Sequence, residues 1–82
     1  MAKTFHLTIA EVGKNIFDGE AVFVTLPGSD GMFTVLAHHE AFVSPLKVGE
    51  AKITTPDGEH QTVTLSVAGI AEISNNQATV IL

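Results

Sequence analysis

The 82-residue sequence predicts an all-β fold, a small antiparallel β-sandwich of about eight to ten short strands. Three observations predict it. Val, Ile and Thr supply 24 of the 82 residues and five phenylalanines join them, a composition suited to a pleated, half-buried surface. Seven glycines and three prolines are spread along the chain and punctuate it at intervals of about 8 to 12 residues. Between these breaks apolar side chains recur at period two, and no stretch carries the period of an amphipathic helix.

The elements follow in order. Phe5 to Glu11 alternates strictly, with Phe5, Leu7 and Ile9 on one face, and Gly13-Lys14-Asn15 turns the chain. Ile16-Phe17 reads as a short strand closed by Asp18-Gly19, a hairpin dipeptide. Ala21 to Leu26 is a nearly continuous apolar run, which suits a strand covered on both sides or resting on a partner. Pro27-Gly28-Ser29-Asp30-Gly31 is the densest turn signal, and Met32 to Leu36 follows it as another strand. After the polar stretch Ala37-His38-His39-Glu40, β character resumes at Ala41-Phe42-Val43 and holds until Pro45. A turn at Gly49 leads to Ala51 to Thr54, and Pro56-Asp57-Gly58 joins that strand to the run Gln61 to Val67. There Val63, Leu65 and Val67 are expected inward, and Thr62, Thr64 and Ser66 outward. Gly69 marks a bulge or a close backbone approach. Ile70 to Ile73, the Asn75-Asn76 turn and Ala78 to Leu82 complete the last hairpin.

Composition narrows the function classes. Cysteine is absent, which excludes a disulfide framework, a thiol nucleophile and a Cys-type zinc site. Nine acidic residues face four scattered lysines, giving a net charge of −5 where a nucleic-acid binder would show a clustered basic face. No apolar run approaches the roughly 20 residues of a membrane-spanning helix. Met1-Ala2-Lys3-Thr4 leads straight into the first patterned segment and leaves no room for a leader peptide. A soluble, intracellular, single-domain chain over residues 1–82 is the expectation.

Candidate chemistry is sparse. His38 and His39 are adjacent, so on a strand they would point to opposite faces and could not share one metal ion, while His6 and His60 belong to other strands. A loop or interface histidine pair is the favoured reading, with no metal and no cofactor. None of Ser29, Ser44, Ser66 and Ser74 lies in a G-x-S-x-G elbow. Glu20 and Glu72 could act as acid and base only if the fold paired them, which nothing in their spacing requires. Pro27 to Gly31 lacks the Gly-Lys-Ser/Thr ending of a phosphate loop. What remains is surface. Leu26, Met32, Phe33, Val35, Leu36, Phe42 and Val43 are more apolar residues than one short meander buries, which points to a protein-binding face near the His38-His39 loop.

Several motifs in order resemble the N-terminal β-sandwich domain of the epsilon subunit of F-type ATP synthase, equivalent to the mitochondrial delta subunit. They are Phe17-Asp18-Gly19-Glu20, the turn Pro27-Gly28-Ser29-Asp30-Gly31, the loop Leu36-Ala37-His38-His39 and Leu46-Lys47-Val48-Gly49. Val67-Ala68-Gly69-Ile70-Ala71-Glu72-Ile73 and Asn76-Gln77-Ala78-Thr79-Val80 continue the match to the end. Each motif is weak alone, and their collinearity over nearly the whole chain is strong. Bacterial members usually read Leu-Pro-Gly-His where this chain has Leu36-Ala37-His38-His39. Glycine is frequent at the place of Thr34, and a carboxylate occurs in some members at that of Met32. Members commonly continue into a C-terminal helical hairpin, for which this sequence has no residues.

The resemblance implies a non-catalytic rotor subunit of the central stalk, linking the gamma subunit to the ring of c subunits beneath the catalytic head complex. It would thereby support rotary, proton-driven ATP synthesis. The partner-binding residues it implies are Met32, Phe33, Leu36, His38 and His39, and the implied place is peripheral, on the cytoplasmic face of the bacterial inner membrane, without insertion. An unrelated β-sandwich adaptor or ligand-binding module is the alternative.

Overall fold

The computed structural model describes residues 3–82, so the expectation on the first two residues lies outside what is described. Nine strands form: β1 (Phe5–Glu11), β2 (Lys14–Ala21), β3 (Phe23–Gly28), β4 (Gly31–Leu36), β5 (Phe42–Leu46), β6 (Gly49–Thr54), β7 (His60–Leu65), β8 (Gly69–Ser74) and β9 (Gln77–Ile81). The pairing order is β2-β1-β9-β8-β5-β3-β6-β7, with β4 on the other side of β3. Between β5 and β3 the ladder has one rung, Gly28 opposite Leu46. There the sheet folds over into two layers, β2-β1-β9-β8-β5 and β4-β3-β6-β7, whose inner faces hold the core.

That core is wholly apolar. Phe5, Leu7, Ile9, Val80, Ala71 and Ile73 meet Val24, Leu26, Val35, Ile53 and Leu65, and among the described residues no polar or charged one is buried. Each fully buried Leu or Ile contributes about 1.5–3 kcal/mol of transfer free energy. Gly69 allows a close approach: a Cβ there would overlap the Ile81 carbonyl oxygen and touch Leu82. The Asn75-Asn76 turn has φ of 52° and 59°, the left-handed pair a two-residue hairpin requires.

The structure departs from the sequence reading at several turns. Asp18-Gly19 does not turn; it lies within β2, with Asp18 opposite Thr8 and Gly19 opposite Leu7. The first hairpin closes at Val12-Gly13, where Gly13 has φ +83°, so of the expected turn Gly13-Lys14-Asn15 only Gly13 turns and Lys14 and Asn15 open β2. The ladder to β1, unbroken from Phe5 to Ile9 and tightened where Asp18 accepts from His6 and Thr8, outweighs the local turn preference. The apolar run Ala21 to Leu26 is split at Val22, because the chain there crosses between layers: Ala21 pairs with Phe5, whereas Phe23 pairs with Leu36 and Thr54. Pro27 and Gly28 belong to β3, so the tight turn is Ser29-Asp30 alone, and Pro45 lies inside β5. Val67 lies beyond β7 and is exposed, since the inward alternation ends at Leu65. One pair is parallel, β1 with β9, in a sheet otherwise antiparallel.

Candidate functional site

β4 ends on Leu36, which stands on the outer face and is 55% exposed. The chain then bends tightly, the His39 amide donating to the Leu36 carbonyl at 3.2 Å. His38 takes a left-handed conformation, φ 61°, unusual for a residue other than glycine. Its amide donates to Asn76 Oδ1 at 2.8 Å, anchoring the loop to the β8–β9 turn. His39 Nδ1 lies 2.8 Å from the Glu40 carbonyl oxygen, an acceptor only, so it carries the proton and leaves Nε2 of the neutral ring as an acceptor. The His39 ring lies 5.8 Å from that of Phe42, and Phe42 meets Phe33 edge-on at 5.3 Å and 73°. Leu36, His38, His39 and Phe42 thus line an open groove at one end of the sandwich.

The five residues expected at a partner face do not form one patch. Leu36, His38 and His39 come together. Phe33 lies beside them but points inward, half-buried against the core. Met32 is 56% exposed on the same outer face as Leu36, but four residues earlier on β4, about 13 Å away at the hairpin end. Phe42, counted in the sequence only as part of an apolar surplus, is the aromatic floor of the groove.

A second apolar surface escaped the sequence reading. Ile70 pairs with Ile81 across β8 and β9, Pro45 lies beside Ile70, and Ala10 lies beside Ile81, all on the outer face of the first layer. Val43 stands one row away, and Ile70, Ile81 and Val43 are all exposed. The signal was present: Ile70-Ala71 and Val80-Ile81-Leu82 break the inside-outside alternation, as a strand covered on both faces would.

The two carboxylates considered as an acid–base pair do not meet. Glu20 lies on β2 and Glu72 on β8, three strand spacings or about 14 Å apart. Glu20 instead accepts from Thr4, and with Asp18 brackets the His6 ring at 3.2 and 2.5 Å. Bonding to Asp18 first, and to Glu20, raises the His6 pKa above the ordinary histidine value. Among the described residues no three His, Asp or Glu side chains group as a metal cage. The groove therefore offers apolar contact from Leu36 and Phe42 beside two imidazole rings.

A sequence model for the β-sandwich domain of the ATP synthase delta/epsilon chain matches residues 4–82. The ATP synthase epsilon chain of Protochlamydia amoebophila is 37% identical over 78 residues, covering 94% of this chain and 52% of that protein. That of Campylobacter fetus is 39% identical over 79 residues, covering 96% of this chain and 60% of that protein. The chain thus spans little more than half the length of these curated relatives. Among solved structures, a chain in the Euglena gracilis mitochondrial ATP synthase OSCP/F1/c-ring assembly superposes with TM-score 0.88 at 21% identity, over 95% of this chain and 49% of that one. A chain in the Tetrahymena thermophila ATP synthase central stalk and c-ring gives 0.75 at 12% identity, over 96% and 63%. At these identities the likeness speaks for the fold.

Proposed function

The chain belongs to the delta/epsilon β-sandwich family of ATP synthase, and on that premise we propose that it is a non-catalytic central-stalk module fastening the gamma subunit to the c-ring. Its work is mechanical: torque from the proton-driven ring passes through it to gamma, and so to the catalytic head. The observation that carries this reading is the pair of exposed apolar surfaces on a domain in which, among the described residues, no polar or charged one is buried. One is the groove of Leu36, His39 and Phe42; the other is the stripe of Pro45, Ile70 and Ile81. They lie on different parts of the sandwich, so two partners can be held at once, as a coupling element requires. Burying such leucine and aromatic anchors is worth about 1.5–3 kcal/mol each, enough to carry a specific contact.

The expected place is the cytoplasmic face of a bacterial inner membrane, held there through the ring; no helix among the described residues is long and apolar enough to cross a bilayer. His39 Nε2 calls for a donor on the partner opposite it, and Met32 marks a further contact at the far end of β4. The test is co-purification with the gamma subunit and c-ring encoded in the same genome. The chain should be retained by the gamma–c-ring assembly at stoichiometric level. An adaptor or ligand-binding module of another kind would wash off.

A further inference from the structure

Asn76 makes three hydrogen bonds to two separate segments, the loop after β4 and the start of β1. Its Oδ1 accepts from the His38 amide at 2.8 Å, its Nδ2 donates to the Thr4 carbonyl at 2.9 Å, and its main-chain carbonyl accepts from the His6 amide at 3.2 Å. The side-chain amide can face only one way, because the reverse would set its NH2 against an N–H. It is half-buried, in the second left-handed position of the β8–β9 turn, φ 59°. The loop it reaches needs an anchor. His38 also stands left-handed, at φ 61°, without being glycine, a conformation that persists only where surrounding bonds fix it. Among the described residues, the bond to Asn76 is the only side-chain hydrogen bond that the His38 main chain makes to another element.

We infer that Asn76 is a positioning residue for the Leu36–Phe42 groove: its side chain locks the left-handed turn at His38 and so sets the direction in which Leu36 and His39 face a partner. The inference rests on the partner-face reading of that groove. The side-chain Nδ2 and the main-chain carbonyl of Asn76 also tie the groove to the start of β1, so the loop, the β8–β9 turn and the first strand are joined through one residue. Phe42 and Phe33 support the loop from below but hold no backbone atom of it, so they cannot by themselves choose the His38 conformation.

Two variants isolate the effect. Asn76→Gly keeps the positive φ of the turn and removes the clasp. Asn76→Asp keeps an acceptor for the His38 amide while it loses the donation to Thr4 and sets a carboxylate oxygen near that carbonyl. Amide hydrogen exchange of the chain alone is measured beside its affinity for the gamma–c-ring assembly, with Leu36→Ala as reference. In Asn76→Gly, exchange at His38 should rise about ten-fold while the core amides of Leu7 and Val80 stay protected, and affinity should fall about ten-fold. Asn76→Asp should retain both. Unchanged exchange at His38 in Asn76→Gly overturns the inference, whatever the partner. Faster exchange with affinity kept, while Leu36→Ala binds weakly, overturns it too, since the groove would then work without the clasp. If affinity survives both Asn76→Gly and Leu36→Ala, the partner-face reading itself has failed, and the inference with it.

Discussion

His6 is bracketed by Asp18 and Glu20 on the outer face of the β1–β2 pair, with Thr4 and Thr8 extending the ladder at its ends. A cation between two carboxylates is favoured, so the folded pKa lies above the unfolded value of 6.5. The resulting stability is full below that unfolded value and is lost as pH rises through the raised folded value. The group is nearly half exposed, so the gain is that of a surface ion pair, about 0.2–1 kcal/mol. The thermal midpoint should therefore fall slightly between about pH 6 and pH 8, and His6→Gln should flatten that slope; an equal slope in the variant would refute the assignment. Residue exposure also separates two neighbours on β4. Phe33→Ala removes a ring packed against Phe42 and the core and should cost about 2–4 kcal/mol, lowering the melting temperature. Leu36→Ala should leave the melting temperature nearly unchanged and weaken retention by gamma and the ring. Thr62→Ala, on the outer face of β7, should do neither.

Among the elements, β8 and β9 carry the least expected result. Their inner residues Ala71, Ile73, Ala78 and Val80 are core, whereas Ile70 and Ile81 form a cross-strand pair facing solvent. Cross-strand apolar pairs contribute only about 0.2–1 kcal/mol to a sheet, so Ile70→Ser or Ile81→Ser should leave the fold standing. Either should weaken assembly with gamma and the ring independently of Leu36→Ala, because the stripe and the groove share no side chain. A double variant whose loss equals that of one single variant would show that the surfaces serve one partner contact. At this scale alternation was a sound guide to strands and a poor one to turns. Asn75-Asn76 was legible because two left-handed residues in succession are needed there. Asp18-Gly19 misled because a hairpin dipeptide is a local preference, and seven residues of β2 paired with β1 overrule it.

At the scale of the whole molecule, β9 lies between β1 and β8, so the two ends of the chain meet in the middle of one layer. The domain therefore closes only when its last strand is in place, and a far-UV circular dichroism spectrum of the folded chain should show strand without helix. Rotation and its control are separable functions in the proposed reading. In that reading the sandwich would serve as the clamp between gamma and ring, and none of the described residues is helical. An arm reaching from the clamp into the catalytic head would need on the order of 15 helical residues or more, rising about 1.5 Å each. Added to the soluble head complex, the 82-residue chain should bind gamma and leave ATP hydrolysis uninhibited. Strong inhibition on addition would mean that the sandwich itself blocks rotation.

The sequence by itself determined that this chain is all-β and where most strands lie, and it pointed to the His38-His39 loop through an apolar surplus of which Leu26 and Val35 proved to be core. Those features are written locally, in period-two alternation, β-branched content and turn residues. Only the tertiary structure decided that β1 and β9 run parallel, that Phe33 faces the core while Met32 stands about 13 Å from Leu36, and that Asn76 reaches across to His38. It alone showed that Ile70, Ile81 and Pro45 lie together. The reason is physical: alternation says that a strand has two faces, but which face is covered depends on the strands beside it and the layer opposite. Those neighbours come from distant parts of the chain, as Thr4 and Asn76 do.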